Sequence, residues 1–241
     1  MRAQTRHQLK QDRFSQVTLD AAEKTVDWSV AHQKNLTIAG IVVAIVVALG
    51  IGGWYYLQQQ DVKASVEFSA AVRTLNTPVR PPNMPPQPDQ PSFASSRERA
   101  TAAHKQFQEI VSRYPFTHAS DFAHYFLGLT SADMGDNTAA EAELQKVAAY
   151  HNSDLSSLAK FALASVYRNT NRNAQAIDLY KQIIAKPTIS VPKTTAQVEL
   201  AATYQSANQP LEAKRVYEQI QKENPSSPVA QLATQKLQEL K

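Results

Sequence analysis

The side chains best suited to acid–base or metal chemistry are six histidines, and their spacing predicts neither. They stand at His7, His32, His104, His118, His124 and His151. No two form His-x-x-x-His or His-Glu-x-x-His, so no helical face presents paired imidazoles to a metal ion. Cysteine is absent, which excludes a thiol nucleophile, and only Gly128 and Gly135 lie beyond residue 53, too few for a glycine-rich phosphate loop. We expect no catalytic residues, no metal and no cofactor; an enzyme with a non-local active site is the alternative.

An apolar run at residues 36–57 is the feature on which most functional inferences depend. Its 22 residues include no Asp, Glu, Lys, Arg or His, and 11 of them are Leu, Ile or Val. A bilayer core requires about 20 such residues in a helix. A core helix of a small domain would keep a polar face, and a cleaved signal peptide would have a short basic leader and a small-residue cleavage site. We therefore predict a single transmembrane helix that anchors the chain in the bilayer.

Basic residues indicate the orientation of this span. Residues 1–35 contain six Lys and Arg, whereas residues 58–80 contain three. The positive-inside rule then places the N-terminus in the cytoplasm and the rest of the chain outside it, which in a Gram-negative bacterium is the periplasm. Within the tail, an apolar stripe predicts a helix from Leu19 to Lys34; a loosely ordered tail is the alternative.

One face of the predicted span carries small residues at every fourth position. These are Gly40, Ala44, Ala48 and Gly52. Small side chains let two membrane helices approach closely, so we expect packing against another copy of the chain or against another membrane protein. The alternative is that Gly and Ala are simply common in membrane helices.

The remaining chain divides by composition. A helical pattern covers 58–77, a proline-rich insertion 78–94, further helical pattern 95–225, and a terminal helix 226–241. Seven of the 13 prolines lie in the insertion, which predicts an extended linker. The net charge is only +4 and no basic cluster contains aromatic residues, so we expect protein partners and no nucleic acid.

Three segments of the 95–225 region align with each other. Each has a leucine followed by a small residue: Leu127-Gly128, Leu163-Ala164 and Leu200-Ala201. Thirteen positions after each leucine stands an alanine: Ala140, Ala176 and Ala213. Bulky and then β-branched residues follow in the same order: Leu144 and Val147, Tyr180 and Ile183, Tyr217 and Ile220. The leucines recur at intervals of 36 and 37 residues, which indicates a repeat of paired helices.

This pattern resembles the tetratricopeptide repeat. The resemblance implies an all-α solenoid in which small residues sit where paired antiparallel helices touch and bulky residues fill the space between repeats. Half a repeat precedes the three, with Ala103, Phe107 and Ile110 in its second helix and the helix of 58–77 as its first. The usual Trp is missing and the spacing exceeds 34 residues, which predicts longer turns.

In that geometry, nine residues are expected to face the concave side of the array. They are Phe122, Tyr125, Leu129, Phe161, Ser165, Arg168, Asn169, Val198 and Gln205. The set is largely aromatic and aliphatic, so the resemblance implies a groove for an apolar or amphipathic protein segment, with Arg168 and Asn169 as polar anchors. Packing of these side chains between repeats is the alternative.

A short tail, one span and an external repeat array also resemble the YfgM-like family of ancillary subunits of the bacterial Sec translocon. The sequence GIGGWYYLQQQ at Gly50–Gln60 is similar to that family's exit from the membrane. The resemblance implies a chaperone-like interaction module for newly exported proteins in the inner membrane. A structural scaffold for cell division or outer-membrane assembly is the alternative.

Overall fold

The computed structural model describes residues 32–82, 85, 91–223 and 225–240, and its regular structure in these ranges is helical. The helices are α1 Gln33–Asn76, α2 Ser96–Arg113, α3 His118–Asp133, α4 Asn137–Ala148, α5 Ser153–Asn169, α6 Asn173–Ala185, α7 Lys193–Ser206, α8 Pro210–Glu223 and α9 Pro228–Glu239. The predicted all-α fold class is thereby confirmed. The helix predicted from Leu19 lies almost wholly outside the described residues.

Helix α1 contributes to both of the units into which the chain divides, the first ending at Gln58 and the second beginning at Gln59. In the first unit, every side chain from Leu36 to Leu57 is exposed. Within the described ranges, α1 is the one helix long and apolar enough to cross a membrane, a property of its length and composition. Water solvates so much apolar surface poorly, so this surface is suited to a non-aqueous environment.

In the second unit, consecutive helices pack as antiparallel pairs from α2 to α9. Among the first helices of successive repeats, α3 contacts α5, and α5 contacts α7. Helix α1 from Gln59 onward packs in the same way, because the ring of Phe68 lies 5.7 Å from that of Phe107 on α2 and 5.6 Å from that of Phe126 on α3. The array therefore begins with the second half of α1.

Most of these helices begin at a side-chain cap. Ser95, Thr117, Asp136, Asn152 and Ser227 precede five of them, and each side-chain oxygen accepts a hydrogen bond of 3.0–3.2 Å from a backbone amide in the first turn. Such bonds satisfy donors that have no partner within the helix. In these five helices the capping residue therefore sets where the helix starts.

The turn inside each repeat contains one residue with a left-handed backbone. The φ angle is +84° at Gly135, 61° at Asn171 and 58° at Asn208. Glycine adopts this region without strain and asparagine tolerates it better than most residues. These positions are 36 and 37 residues apart, the same intervals as the aligned leucines.

The small residues of the repeats lie where the paired helices touch. Ala164 and Ala201, together with Ala140, Ala176 and Ala213, have no exposed surface. A Cβ on Gly128 would lie 2.6 Å from Cγ of Leu144, so only glycine fits there without movement. The predicted burial of these small residues is confirmed.

The terminal helix α9 packs on the last repeat through only some of its apolar residues. Ala230 and Ala233 are buried, and Leu237 packs partly against the core. Leu232, another apolar residue of this helix, is 39% exposed. The buried face of α9 is therefore formed mainly by alanine, and Leu232 lies outside it.

The proline-rich connection is closed at its base. Val79 and Phe93 form a β-bridge, in which the Arg80 amide donates to the Phe93 carbonyl at 2.9 Å. The Arg99 guanidinium also donates to the Thr77 carbonyl at 3.3 Å. The two ends of the insertion are therefore held together at α1 and α2. Residues 83–84 and 86–90, for which an extended linker is predicted, lie outside the described ranges.

Candidate protein-binding groove

A groove of about 650 Å³ lies on the second unit between the first helices of successive repeats. Its floor is apolar, and its rim is polar. The lining residues are Leu75 and Asn76 on α1, Arg99 on α2, Tyr125, Leu129, Ala132 and Asp133 on α3, Leu144 on α4, and Phe161, Ala162, Ser165, Val166 and Asn169 on α5.

Helical periodicity aligns the groove residues on two facing helices. Tyr125 and Leu129 are four residues apart on α3, and Phe161, Ser165 and Asn169 follow the same spacing on α5. Residues four apart lie on one face of a helix, so each helix contributes one continuous wall. These are five of the nine residues predicted for the concave face, and the structure brings them together.

The aromatic residues of the groove are fixed by packing. The ring of Tyr125 contacts Phe126 with centroids 5.4 Å apart, and that of Phe161 contacts Tyr180 at 5.6 Å. Burial raises the pKa of Tyr125, so its phenol stays neutral across physiological pH. The Ser165 hydroxyl lies 3.3 Å from the Tyr180 hydroxyl. Fixed aromatic surface of this kind binds apolar side chains at a low cost in conformational entropy.

The rim supplies polar groups around this floor. Asn76, Asp133 and Asn169 are exposed. The Arg99 guanidinium donates one hydrogen bond to the Thr77 carbonyl. Its buried Nε has no hydrogen-bond partner among the described residues. A peptide that places an apolar side chain on the floor could therefore also hydrogen-bond along the rim.

The other four predicted residues lie elsewhere in the array. Phe122 packs against Phe68 at 6.3 Å. The guanidinium of Arg168 donates to the Glu199 carboxylate on α7, an ion pair that joins two repeats. Val198 packs partly on the core, and Gln205 accepts a hydrogen bond of 3.4 Å from the Tyr217 hydroxyl. Arg168 is thus engaged within the fold, and Asn169 remains at the groove rim.

Sequence reasoning missed the groove residues that come from outside the aligned repeats. Leu75 and Asn76 end the first helix of the array, and Arg99 follows the proline-rich insertion. The half repeat recognised around Phe107 was the available signal, because it implies that α1 and α2 precede α3 in the stack. Ala132 and Asp133 could have been found as the next turn after Leu129.

Two of the histidines, His104 and His124, form polar contacts between helices. Nδ1 of His124 lies 2.7 Å from the Glu143 carboxylate. Nε2 of His124 lies 3.1 Å from the Lys146 ammonium. Nδ1 of His104 lies 2.9 Å from the Thr130 hydroxyl, and burial lowers the pKa of His104. No group of three potential metal ligands occurs among the described residues, and His7 lies outside them.

The small-residue face of the first unit is uncovered. Gly40, Ala44, Ala48 and Gly52 are all exposed, and a Cβ added at Gly40 or Gly52 would meet no atom within 4 Å. A second helix therefore has room to approach this face.

Paired antiparallel helices with alanine contacts and a groove between first helices define a helical-repeat protein of the tetratricopeptide class. Residues 27–188 match the family described as tetratricopeptide repeat-like domain, and residues 195–227 match the tetratricopeptide repeat. The chain therefore belongs to the tetratricopeptide repeat-like domain family. Repeats of this class are typically protein-interaction scaffolds without enzymatic activity.

Solved structures share the fold at low sequence identity. One is a crystal structure of the nearly identical TPR-like repeats of a chain described as a kinesin light chain from Podospora anserina. It is 16% identical, covers 74% of this chain and 85% of its own, and superposes with a TM-score of 0.56. A crystal structure of a substituted variant of the same repeats gives the same identity and TM-score and covers 74% of this chain and 84% of its own. Comparison with curated proteins gave no match.

Proposed function

We propose that this protein is a membrane-anchored interaction module that binds apolar or amphipathic segments of exported proteins outside the cytoplasm. The observation that carries the proposal is the groove between α3 and α5, with its fixed aromatic floor and polar rim. Such a surface suits a chaperone-like accessory to protein translocation or envelope assembly in a bacterial inner membrane.

The apolar part of α1 supports the membrane anchor. The side chains from Leu36 to Leu57 are exposed, and Trp54, Tyr55 and Tyr56 cluster near the end of the run, as aromatic residues do at a membrane interface. The excess of Lys and Arg in residues 1–35 favours a cytoplasmic N-terminus and a periplasmic array. The small-residue face favours close packing with another span, from a second copy or a translocon subunit.

The residues that line the groove support an apolar or amphipathic protein segment as the partner. Carboxylate-binding grooves of cytosolic tetratricopeptide proteins use clustered Lys, Asn and Arg, whereas this floor is built from Tyr125, Leu129 and Phe161. Apolar side chains of an unfolded segment would lose contact with water on such a floor, by about 25 cal/mol for each Å² buried. The groove would then select segments by their hydropathy more than by their exact sequence.

Site-specific photocrosslinking in the membrane tests this proposal. A photoreactive amino acid at Asn169, on the groove rim, should form adducts with a pulse-labelled exported protein arrested during translocation. The matched control is Gln175, an exposed polar residue on α6 that does not line the groove. Equal adducts at both positions, or none at Asn169, would exclude the groove as the binding surface.

A substitution that blocks the groove provides a second test of the proposal. Asn169→Trp should reduce adducts formed from a photoreactive residue at Asp133 across the groove, while Gln175→Trp should leave them unchanged. Both sites are exposed, so circular dichroism should show the same helix content in both variants.

A further inference from the structure

A crevice of about 340 Å³ lies between the start of α5 and the end of α6. Four of its lining side chains carry a hydroxyl group and two are lysines. The lining residues are Ser153, Ser156, Ser157 and Lys160 on α5, Gln182, Ile183 and Ala185 on α6, and Lys186 and Thr188 after it. None of them lines the groove of the proposed function. The volume is at the lower end of the roughly 300–1,000 Å³ found for small-ligand sites, so it suits a single side chain or chain terminus.

Several donors around this crevice lack an acceptor. Ser157 is 5% exposed, and its buried Oγ has no hydrogen-bond partner among the described residues. Lys160 is half-buried, Lys186 is exposed, and neither forms an ion pair with a carboxylate in the described ranges. A buried hydroxyl without a partner costs free energy, so an acceptor that enters the crevice would be stabilised there.

The electrostatics of the crevice favour an anion. Ser153 is the first residue of α5, and the N-terminus of a helix carries a partial positive charge. The carboxylate in this turn, that of Asp154, does not line the crevice and accepts from the Ser190 amide at 3.1 Å. Helix α6 ends at the crevice with a partial negative charge of about one half, which the two lysine charges outweigh.

The next repeat provides an internal comparison for this crevice. An offset of 37 residues aligns Leu163 with Leu200, and it aligns the helix pair α5 and α6 with the pair α7 and α8. Four lining residues then have counterparts in the next repeat: Ser156 in Lys193, Lys160 in Gln197, Gln182 in Gln219, and Lys186 in Glu223.

In the next repeat the carboxylate of Glu223 occupies this place. It accepts hydrogen bonds from the side chains of Lys193 at 2.9 Å, Gln197 at 3.2 Å and Gln219 at 2.9 Å. In the repeat that contains the crevice, Lys186 replaces this carboxylate. The crevice therefore keeps the donors of the arrangement and lacks its acceptor.

We propose that the crevice between α5 and α6 binds a carboxylate group of a partner protein, supplied by an acidic side chain or by a chain terminus. The bound carboxylate takes the place that Glu223 takes in the next repeat, among Lys160, Lys186 and the Ser157 hydroxyl. The inference goes beyond the proposed function, because it requires neither the apolar groove nor the membrane span.

Thermal unfolding of the full-length protein in detergent micelles, followed by circular dichroism, tests the inference. The probes are N-acetylglutamate α-amide, which carries a side-chain carboxylate, and N-acetylalanine, which carries a terminal one. The neutral control is N-acetylglutamine amide at the same ionic strength. We expect at least one carboxylate, in tenfold excess over its Kd, to raise Tm by about 3–6 °C, and the neutral amide to leave Tm unchanged. The larger shift identifies the source of the carboxylate.

Three variants locate the effect in the crevice. Lys160→Gln should remove the shift, whereas Lys105→Gln, at an exposed residue of α2 outside the crevice, should keep it. Lys186→Glu should also remove the shift, because an internal carboxylate then occupies the site as Glu223 does in the next repeat. Equal helix content in all variants confirms that they are folded.

Three results would overturn the inference: no shift with either carboxylate, an equal shift with the neutral amide, or a shift that persists in Lys160→Gln or Lys186→Glu. The crosslinks from Asn169 in the groove are measured separately. Failure of the crevice to bind a carboxylate is therefore distinguishable from failure of the proposed function.

Discussion

The contact between Gly128 and Leu144 gives a prediction whose size can be worked out from the structure. Gly128 lies inside α3, and a Cβ at this position would be 2.6 Å from Cγ and 2.8 Å from Cδ2 of Leu144. Carbon atoms that are not bonded to each other do not approach so closely, and Leu144 is fully buried. Gly128→Ala must therefore push α4 away from α3 or force Leu144 out of its rotamer.

Two opposing terms set the net effect of Gly128→Ala. Overpacking a well-packed core typically costs about 1–3 kcal/mol. Replacing glycine by alanine inside a helix stabilises the folded state by about 1 kcal/mol, because alanine loses less backbone entropy on folding. We expect the free energy of unfolding to fall by up to about 2 kcal/mol, and each kcal/mol should lower Tm by about 2–4 °C at this chain length.

A double-mutant cycle with Leu144→Ala isolates the steric term. Leu144→Ala alone should cost about 2–5 kcal/mol through the cavity that it leaves. In the double variant the new methyl group occupies part of that cavity, so the total loss should be smaller than the sum of the single losses by about 1–3 kcal/mol. Urea unfolding of a fragment covering residues 59–241, followed by circular dichroism, measures all four proteins. A stabilising Gly128→Ala, or additive losses, would refute the proposed clash.

Other predictions concern the turns, the ion pairs and the topology. Asn171→Val should cost about 1–2 kcal/mol in the same unfolding assay, because a β-branched residue is strained at φ 61°, whereas Asn171→Gly should be neutral or stabilising. Hydrogen bonds from Lys193 and from Gln219 and Gln197 lower the pKa of Glu223 to about 2, so its contribution to stability is present above the ordinary carboxyl range and lost as pH falls toward 2. Glu223→Gln should therefore weaken the acid dependence of Tm between about pH 5 and pH 2; an unchanged pH profile would argue against the interaction. Alkaline phosphatase fused after Lys241 should be active in a Gram-negative host, and an inactive fusion beside an active cytoplasmic reporter would reverse the proposed orientation.

Several features followed from local sequence because they depend on short-range physics. A run of 22 residues without a charged side chain is apolar at any position in a fold. The leucine interval of 36 and 37 residues fixed the phase of the paired helices, and alanine or glycine marked their contacts because larger side chains do not fit there. The buried positions of Ala164, Ala176 and Tyr180 were therefore predictable without coordinates.

The tertiary structure decided which of the exposed polar and aromatic residues remain available for binding. Arg168 and Asn169 are neighbours in sequence, yet Arg168 pairs with Glu199 on the next first helix while Asn169 stays on the groove rim. Phe122 and Tyr125 share α3, but Phe68 contacts only the first of these rings. Arg99 lies beyond the proline-rich connection in the chain, yet α2 places it at the groove beside Leu75 and Asn76. Periodicity assigns a residue to a face of its own helix, but the partner that meets that face depends on how helices far apart in sequence are placed, and that follows from packing of the whole array.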